Sequence, residues 1–237
     1  YFLFSLVIAF ISDALGVIQD KVPILSQDAS FRHEFHEILM IAENDPVLAG
    51  FVDCIKLSFV VHLILVLDTS DGIEINSSAT ADDMRSIYSL LEAIFSNNVI
   101  QFWLDKILLT PGFMNDDEDM LYIYHAYLHK QMTSFLSSPI VMDKVKDAKE
   151  KAMIVLSTHY AAAVHSPLVE SGGRAQDVLE VGMQPFISLL EFVGEIYKNE
   201  PELLSGNDAV WTFVKFAGEE HTNFHTLVAF LRMLSSL

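Results

Sequence analysis

Cysteine is almost absent from this chain: Cys54 stands alone among 237 residues. A single thiol excludes an internal disulfide framework and a cysteine-built zinc site, and such usage fits a reducing compartment. Within VDCIKL, Cys54 reads as a small core residue rather than a nucleophile. Proline and glycine are scarce too, at 7 and 10, which argues against an all-β fold dense in turns. Basic residues are outnumbered: 14 Lys and Arg against 32 Asp and Glu leave a net charge of −18. That balance argues against a general nucleic-acid role, because phosphate binding relies on clustered Lys and Arg. An anionic membrane would repel the same surface. Catalytic signatures are missing as well: the sequence has no P-loop, no GxGxxG and no GxSxG.

What is abundant is apolar material. Apolar residues reach 51% and aromatics 11%, whereas charged residues total only 19%. Either more surface is buried than one compact domain needs, or some apolar surface awaits a partner. The acidity also has two readings. It steers basic segments toward the chain, or it only keeps the chain soluble. The opening run YFLFSLVIAFI stops at Ser12 and Asp13, short of the ~20 apolar residues needed to span a bilayer. No basic flank or small-residue cleavage site accompanies it. It reads as a buried helix cut from something longer, and no direct membrane insertion is expected.

Helical period runs through nearly every segment. Ile87, Leu90, Leu91, Ile94 and Phe95 make one apolar stripe. Val141, Val145, Ala148, Ala152 and Val155 make a second, backed by the pairs Asp147–Lys151 and Lys146–Glu150 at i, i+4 spacing. Phe224, Leu227, Val228, Leu231 and Leu234 make a third. Start and stop signals separate the stripes: Asp45-Pro46, Thr80 before Asp82 and Asp83, Thr110-Pro111-Gly112, Ser138-Pro139, Asn207 or Asp208, and Thr222 or Asn223. The pattern predicts about ten helices, near 2–19, 31–43, 47–67, 81–96, 99–109, 117–136, 140–163, 176–198, 208–217 and 223–237. Loops are expected at 68–79 and 165–175. Sustained period-two alternation is absent, so the fold class is all-α. In the last quarter, short joints carry Pro201, Gly206 and Gly218, which suits consecutive antiparallel helices in one α-solenoid segment over 1–237. Strict tetratricopeptide or ankyrin repeats are not seen, leaving irregular helical pairs of the HEAT and armadillo kind.

Several histidines invite a metal reading. His33-Glu34-Phe35-His36-Glu37 places its histidines three apart, where a zinc protease needs four. It reads as a polar helix face interleaved with Phe31, Phe35 and Ile38. His125 and His129 do stand four apart but lack a third ligand, and His125 falls near the apolar stripe of Tyr124, Leu128 and Met132. The pair His221 and His225 loses its spacing if the helix starts between them. The run Asn115–Asp119 lacks the alternation and glycine of a calcium loop and suits a helix N-terminus. Ser171-Gly172-Gly173-Arg174 has no preceding strand to make it a nucleotide loop. No metal, cofactor or catalytic residue is therefore assigned. Trp103 reads as core. Trp211 lies about 100° to one side of the stripe made by Val210, Phe213, Val214 and Ala217. That flank position makes Trp211 a candidate protein-binding anchor, with coverage by a neighbouring helix as the competing reading.

The words LEFVGEIY, then PELLSGNDAVWTFVKFAGEEHTNFHTLVAFLRMLSSL, resemble the N-terminal part of the giant inner-ring scaffold nucleoporins of the nuclear pore, the 205-type. FAGEEHTNFHTLVAFLRML is the most specific piece, and LTPGFMNDDEDMLYIYHAYLHKQMTSFLSSP adds to it. Residues 1–100 contribute only general helical compatibility. The resemblance implies a non-enzymatic α-helical superhelix that binds segments of linker nucleoporins in grooves between helices. It implies residence at the nuclear envelope, in a large hetero-oligomeric pore assembly that supports nucleocytoplasmic transport of protein and mRNA. It carries no site residue over. The other reading of the composition is an acidic helical-repeat transport receptor or adaptor that binds basic protein segments. A helical metalloenzyme using His125 and His129 is a third, and it requires bound metal.

Overall fold

The computed structural model describes residues 1–16, 23–70, 80–165, 172–198, 200–221 and 223–237, with side chains described for these except 69–70, 155–165 and 172–182. Every regular element among them is helical: α1 (Phe2–Ala14), α2 (Ile24–Gln27), α3 (Ala29–Leu39), α4 (Pro46–Ser70), α5 (Ala81–Ser96), α6 (Val99–Trp103), α7 (Pro111–Met114), α8 (Glu118–Ser137), α9 (Pro139–His165), α10 (Gly172–Tyr197), α11 (Asp208–Gly218) and α12 (Phe224–Ser236). The all-α expectation holds. A π turn over Leu104–Leu108 extends α6, closed by the Leu109 N–H on the Leu104 carbonyl at 2.9 Å. A 3₁₀ turn, Pro201–Leu204, precedes α11.

Caps fix the starts. Thr80 and Asp83 form a reciprocal capping box on α5. Thr110 caps α7 with Pro111 at its first position. Asp117, Asn207 and Asn223 cap α8, α11 and α12 through their side-chain oxygens. Asp45 Oδ1 accepts from the N–H groups of Val47 and Leu48 at the start of α4. The joints anticipated at Asp45, Thr80, Thr110, Asn207 and Asn223 are thus built by their own side chains. Several bounds shift. The helix expected at 2–19 ends at Ala14, and the one expected at 31–43 spans Ala29–Leu39. Within the loop expected at 165–175, α9 runs to His165 and α10 starts at Gly172, and residues 166–171 lie outside the described residues. Residues 68–70 extend α4, and the rest of the 68–79 stretch lies outside the described residues.

Two helices organise the core. α4 packs against α1, α5, α6 and α8, while α10 packs against α9, α12, α6 and α8. α6 and α8 touch both, so one apolar core runs through the molecule. Between Cys54 and Val66 most residues of α4 are buried. Surrounded by neighbours, the helix is apolar all round. Pro46–Asp68 is therefore long and apolar enough to cross a membrane by length and composition, but most of it is buried inside this fold. Trp103 is fully buried, with its ring edge-on to Phe4 at 5.5 Å and Phe192 at 6.4 Å. Cys54 is buried as expected, and burial pushes its thiol well above the ordinary range.

Candidate docking surface

One cluster, at α1, α2 and α4, has catalytic residue types. Ser26 Oγ lies 3.3 Å from His62 Nε2, and the same nitrogen lies 3.0 Å from Asp13 Oδ1. A nucleophilic triad needs the carboxylate on the other ring nitrogen. Here Nδ1 is buried without a hydrogen-bond partner, and Ser26 Oγ donates directly to Asp13 Oδ1 at 2.5 Å. The arrangement ties α1, α2 and α4 together and cannot relay a proton from serine through histidine. Beside it, Arg32 makes two 2.8 Å bonds to Asp83 and donates to the carbonyls of Leu25 and Ser26. Neither cluster was visible in the sequence, because their members lie far apart along the chain.

The histidine pairs separate. His125 is buried under the Phe113 ring at 5.9 Å, and burial lowers its pKa, partly offset by Glu195. His129 Nδ1 instead meets the Tyr197 hydroxyl at 2.9 Å; burial and then Lys130 lower its pKa, while burial raises that of Tyr197. Asn223 starts α12, so His221 lies outside the helix and sits against Phe230. Glu34 and Glu37 are exposed, and His36 Nδ1 contacts Glu37 at 3.2 Å. Among the described residues no three His, Cys, Asp or Glu side chains gather to hold a metal.

The C-terminal helices carry the surface of interest. Lys149 of α9 reaches the end of α11, donating to the carbonyls of Phe216 at 2.7 Å and Glu219 at 2.5 Å, with its ammonium 4.6 Å from the Phe216 ring centre. That placement complements the helix C-terminus. Burial lowers the Lys149 pKa against the pull of Glu219 and Glu220. Asn223 caps α12 with its oxygen, while its amide donates to the Ala152 carbonyl at 3.2 Å and to Met183 Sδ at 2.8 Å. One residue therefore starts α12 and joins it to α9 and α10. Two glycines allow close approach: a Cβ on Gly194 would stand 3.2 Å from the Met233 Cα, and one on Gly218 would stand 2.9 Å from Phe230 Cζ.

These contacts turn α12 the unexpected way. Thr226, Ala229 and Met233 face inward, whereas Phe224, Leu227, Leu231 and Leu234 are exposed, Phe224 at 73% and Leu231 at 52%. The third apolar stripe of the sequence faces out. Trp211 joins this exposed set at 46%, with Val210, Phe213, Val214 and Ala217 of α11 buried as anticipated. Both of the last two helices therefore expose large apolar side chains, with Trp211 at the flank of the buried α11 stripe.

No family model matches the chain, and no solved structure matches it. "Nuclear pore complex protein NUP205" of Arabidopsis thaliana is 49% identical over 243 aligned residues, which cover 99% of the chain. The chain spans 12% of the length of that curated relative. The identity extends through residues 1–100, where the sequence alone offered only helical compatibility, and so the chain belongs to the NUP205 family of nucleoporins.

Proposed function

We propose that the chain is a helical segment of the nuclear-pore scaffold, placed at the nuclear envelope, where its apolar surfaces hold other protein segments. Pore membership rests on the relationship to NUP205. The observation that carries the scaffold reading is the outward stripe of Phe224, Leu227, Leu231 and Leu234 on α12. In a solenoid each helical layer is covered by the next, so such a stripe is the stacking face that a further layer packs against. Trp211, exposed on α11, supplies an anchor for linker nucleoporin segments entering a groove between helices. The role is structural and non-enzymatic, in keeping with the Ser26–His62–Asp13 geometry, which cannot work as a relay.

The test replaces Trp211 with alanine and follows two quantities together: the melting temperature and capture of linker nucleoporins by the purified protein. A large aromatic anchor loses about 2 kcal/mol or more of binding on truncation, roughly thirtyfold in Kd. Lost capture with an unchanged melting temperature supports the reading. Unchanged capture, or an unfolded variant, removes Trp211 from the interface.

A further inference from the structure

A cavity of about 420 Å³ opens where the π turn, α7, the start of α8 and the end of α10 meet. Its size falls within the range of small-molecule sites, roughly 300–1,000 Å³. On α8, Glu118, Leu121 and His125 stand at i, i+3 and i+7, which puts them on one helix face. All three line the cavity. Leu108 and Phe113 add apolar wall, and Glu195, Lys198 and Glu200 add charge. His125 sets this cavity apart. It is only 6% exposed, and its Nδ1 is buried with no hydrogen-bond partner. Buried polar atoms are nearly always bonded, so an orphan at a cavity wall points to a missing partner. Burial favours the uncharged imidazole against the pull of Glu195, and an uncharged ring has one nitrogen free to accept an N–H.

The charge around the cavity is unbalanced. Three carboxylates against the one ammonium of Lys198 leave a surplus of two negative charges. Lys198 approaches Glu195 only to 3.5 Å and is half exposed, so that pair is weak and easily exchanged. Glu200 is crowded by a second acid: its hydrogen bond to Glu202 is the main cause that holds its carboxyl above the usual range. The carboxylates come from two places along the chain, Glu118 from α8 and Glu195 and Glu200 from the end of α10 and just beyond it. Among the described residues no three such groups gather closely enough to hold a metal ion. The cation that suits them is therefore extended, meeting the carboxylates one at a time. It is also partly apolar, because Leu108, Phe113 and Leu121 line the same space.

We propose that this cavity binds a free aliphatic polyamine, with ammonium groups at Glu118 and at Glu195 and Glu200, methylenes over Leu108, Phe113 and Leu121, and one N–H donated to His125 Nδ1. Polyamine nitrogens supply the donors that the carboxylates and the imidazole lack, and the hydrocarbon between them covers the apolar wall. The Phe113 ring adds a cation–π contact. The proposal goes beyond the scaffold reading and does not rest on it, because no other protein takes part.

Spermidine is titrated into the purified chain by isothermal titration calorimetry at moderate salt, with butylamine as the single-ended control. The double variant Glu118→Gln/Glu200→Gln removes two cavity charges. The double variant Glu34→Gln/Glu37→Gln removes two exposed charges from α3 and controls for the overall acidity. Far-UV circular dichroism checks that each variant folds. Wild type and the α3 variant are expected to bind one spermidine each, with Kd values within about twofold. The cavity variant is expected to bind spermidine at least about tenfold more weakly, and wild type to bind butylamine at least as weakly. In histidine-labelled protein, spermidine should move the His125 ring resonance and leave that of the exposed His33 in place. This readout needs no substitution, so it decides the matter even where the cavity variant fails to fold. Wild-type affinity in the cavity variant, an equal loss in the α3 variant, butylamine as tight as spermidine, or a static His125 resonance each overturns the proposal.

Discussion

Replacing Arg32 with methionine is expected to be among the most damaging single changes in the amino-terminal half. The Arg32 and Asp83 side chains are 1% and 5% exposed and joined by two 2.8 Å bonds. Two further bonds hold the guanidinium to the carbonyls of Leu25 and Ser26, at 2.8 and 2.9 Å. Methionine keeps much of the stem but strands the Asp83 carboxylate. Removing one partner of a buried pair costs about 3–5 kcal/mol. At about 2–4 °C per kcal/mol for a chain of this size, the melting temperature drops by roughly 6–20 °C. Urea unfolding followed by circular dichroism should show a lower midpoint with an unchanged slope. The pair Arg32→Met/Asp83→Leu separates stranded charge from lost packing. It recovers most of the deficit but keeps a loss of about 1 kcal/mol from the α5 capping box that Asp83 completes with Thr80. A single-variant loss below about 1 kcal/mol with an unchanged slope would refute the claim that this ion pair holds α3 to α5.

Asn223→Ala removes the α12 cap and two buried amide contacts, so a loss of about 2 kcal/mol is expected in the same urea assay. Gly194→Val should cost more than Gly218→Ala, because backbone at Met233 cannot yield whereas the far edge of the Phe230 ring can; paired melting curves decide it. Stability should fall with pH in two stages. Burial keeps His125, His129 and His221 below their ordinary value, so the unfolded chain binds protons first and stability declines below about pH 6.5. Burial pushes the Asp13 and Asp83 carboxyls up, but hydrogen bonds from His62 and Ser26, and from Arg32 and Thr80, outweigh it. Both lie below their ordinary value, and their contribution, intact above about pH 4, is lost on further acidification. Burial raises Glu191, whose effect runs the other way as pH rises, though Arg232 tempers it. A urea midpoint that is flat from neutral pH to pH 3 would contradict this assignment. Elemental analysis of the purified chain should find no stoichiometric transition metal; a metal lost on replacing His125 or His129 would revive a metal site.

Local chemistry was the most legible layer of the sequence. Thr80, Asn207 and Asn223 each cap a helix because a short polar side chain bonds to a free N–H two or three residues on, a relation confined to one turn. The 81–96 helix emerged with its bounds intact, and Val210, Phe213, Val214 and Ala217 faced the core as the period required. The direction of α12 was not legible. Its period marks a face with Phe224 and Leu231, but period alone does not say whether that face turns in or out. Close approach accompanies it: Gly194 brings α10 against the Met233 backbone, and Thr226 and Ala229 are buried on the same face as Met233. α2 and α7 span four residues each, too short to show a period. The networks Ser26–His62–Asp13 and Arg32–Asp83 depend on contacts between residues distant in sequence, which no local pattern reports.

A scaffold component of the nuclear pore must reside there stably, and residence time measures this. The protein is tagged with a fluorophore at its native locus, and a patch of the nuclear envelope is photobleached. The scaffold account predicts a punctate nuclear rim with almost no recovery while freely shuttling transport receptors recover fully. Rapid recovery at the rim, as for a shuttling receptor, or a diffuse signal with no rim at all, would contradict it.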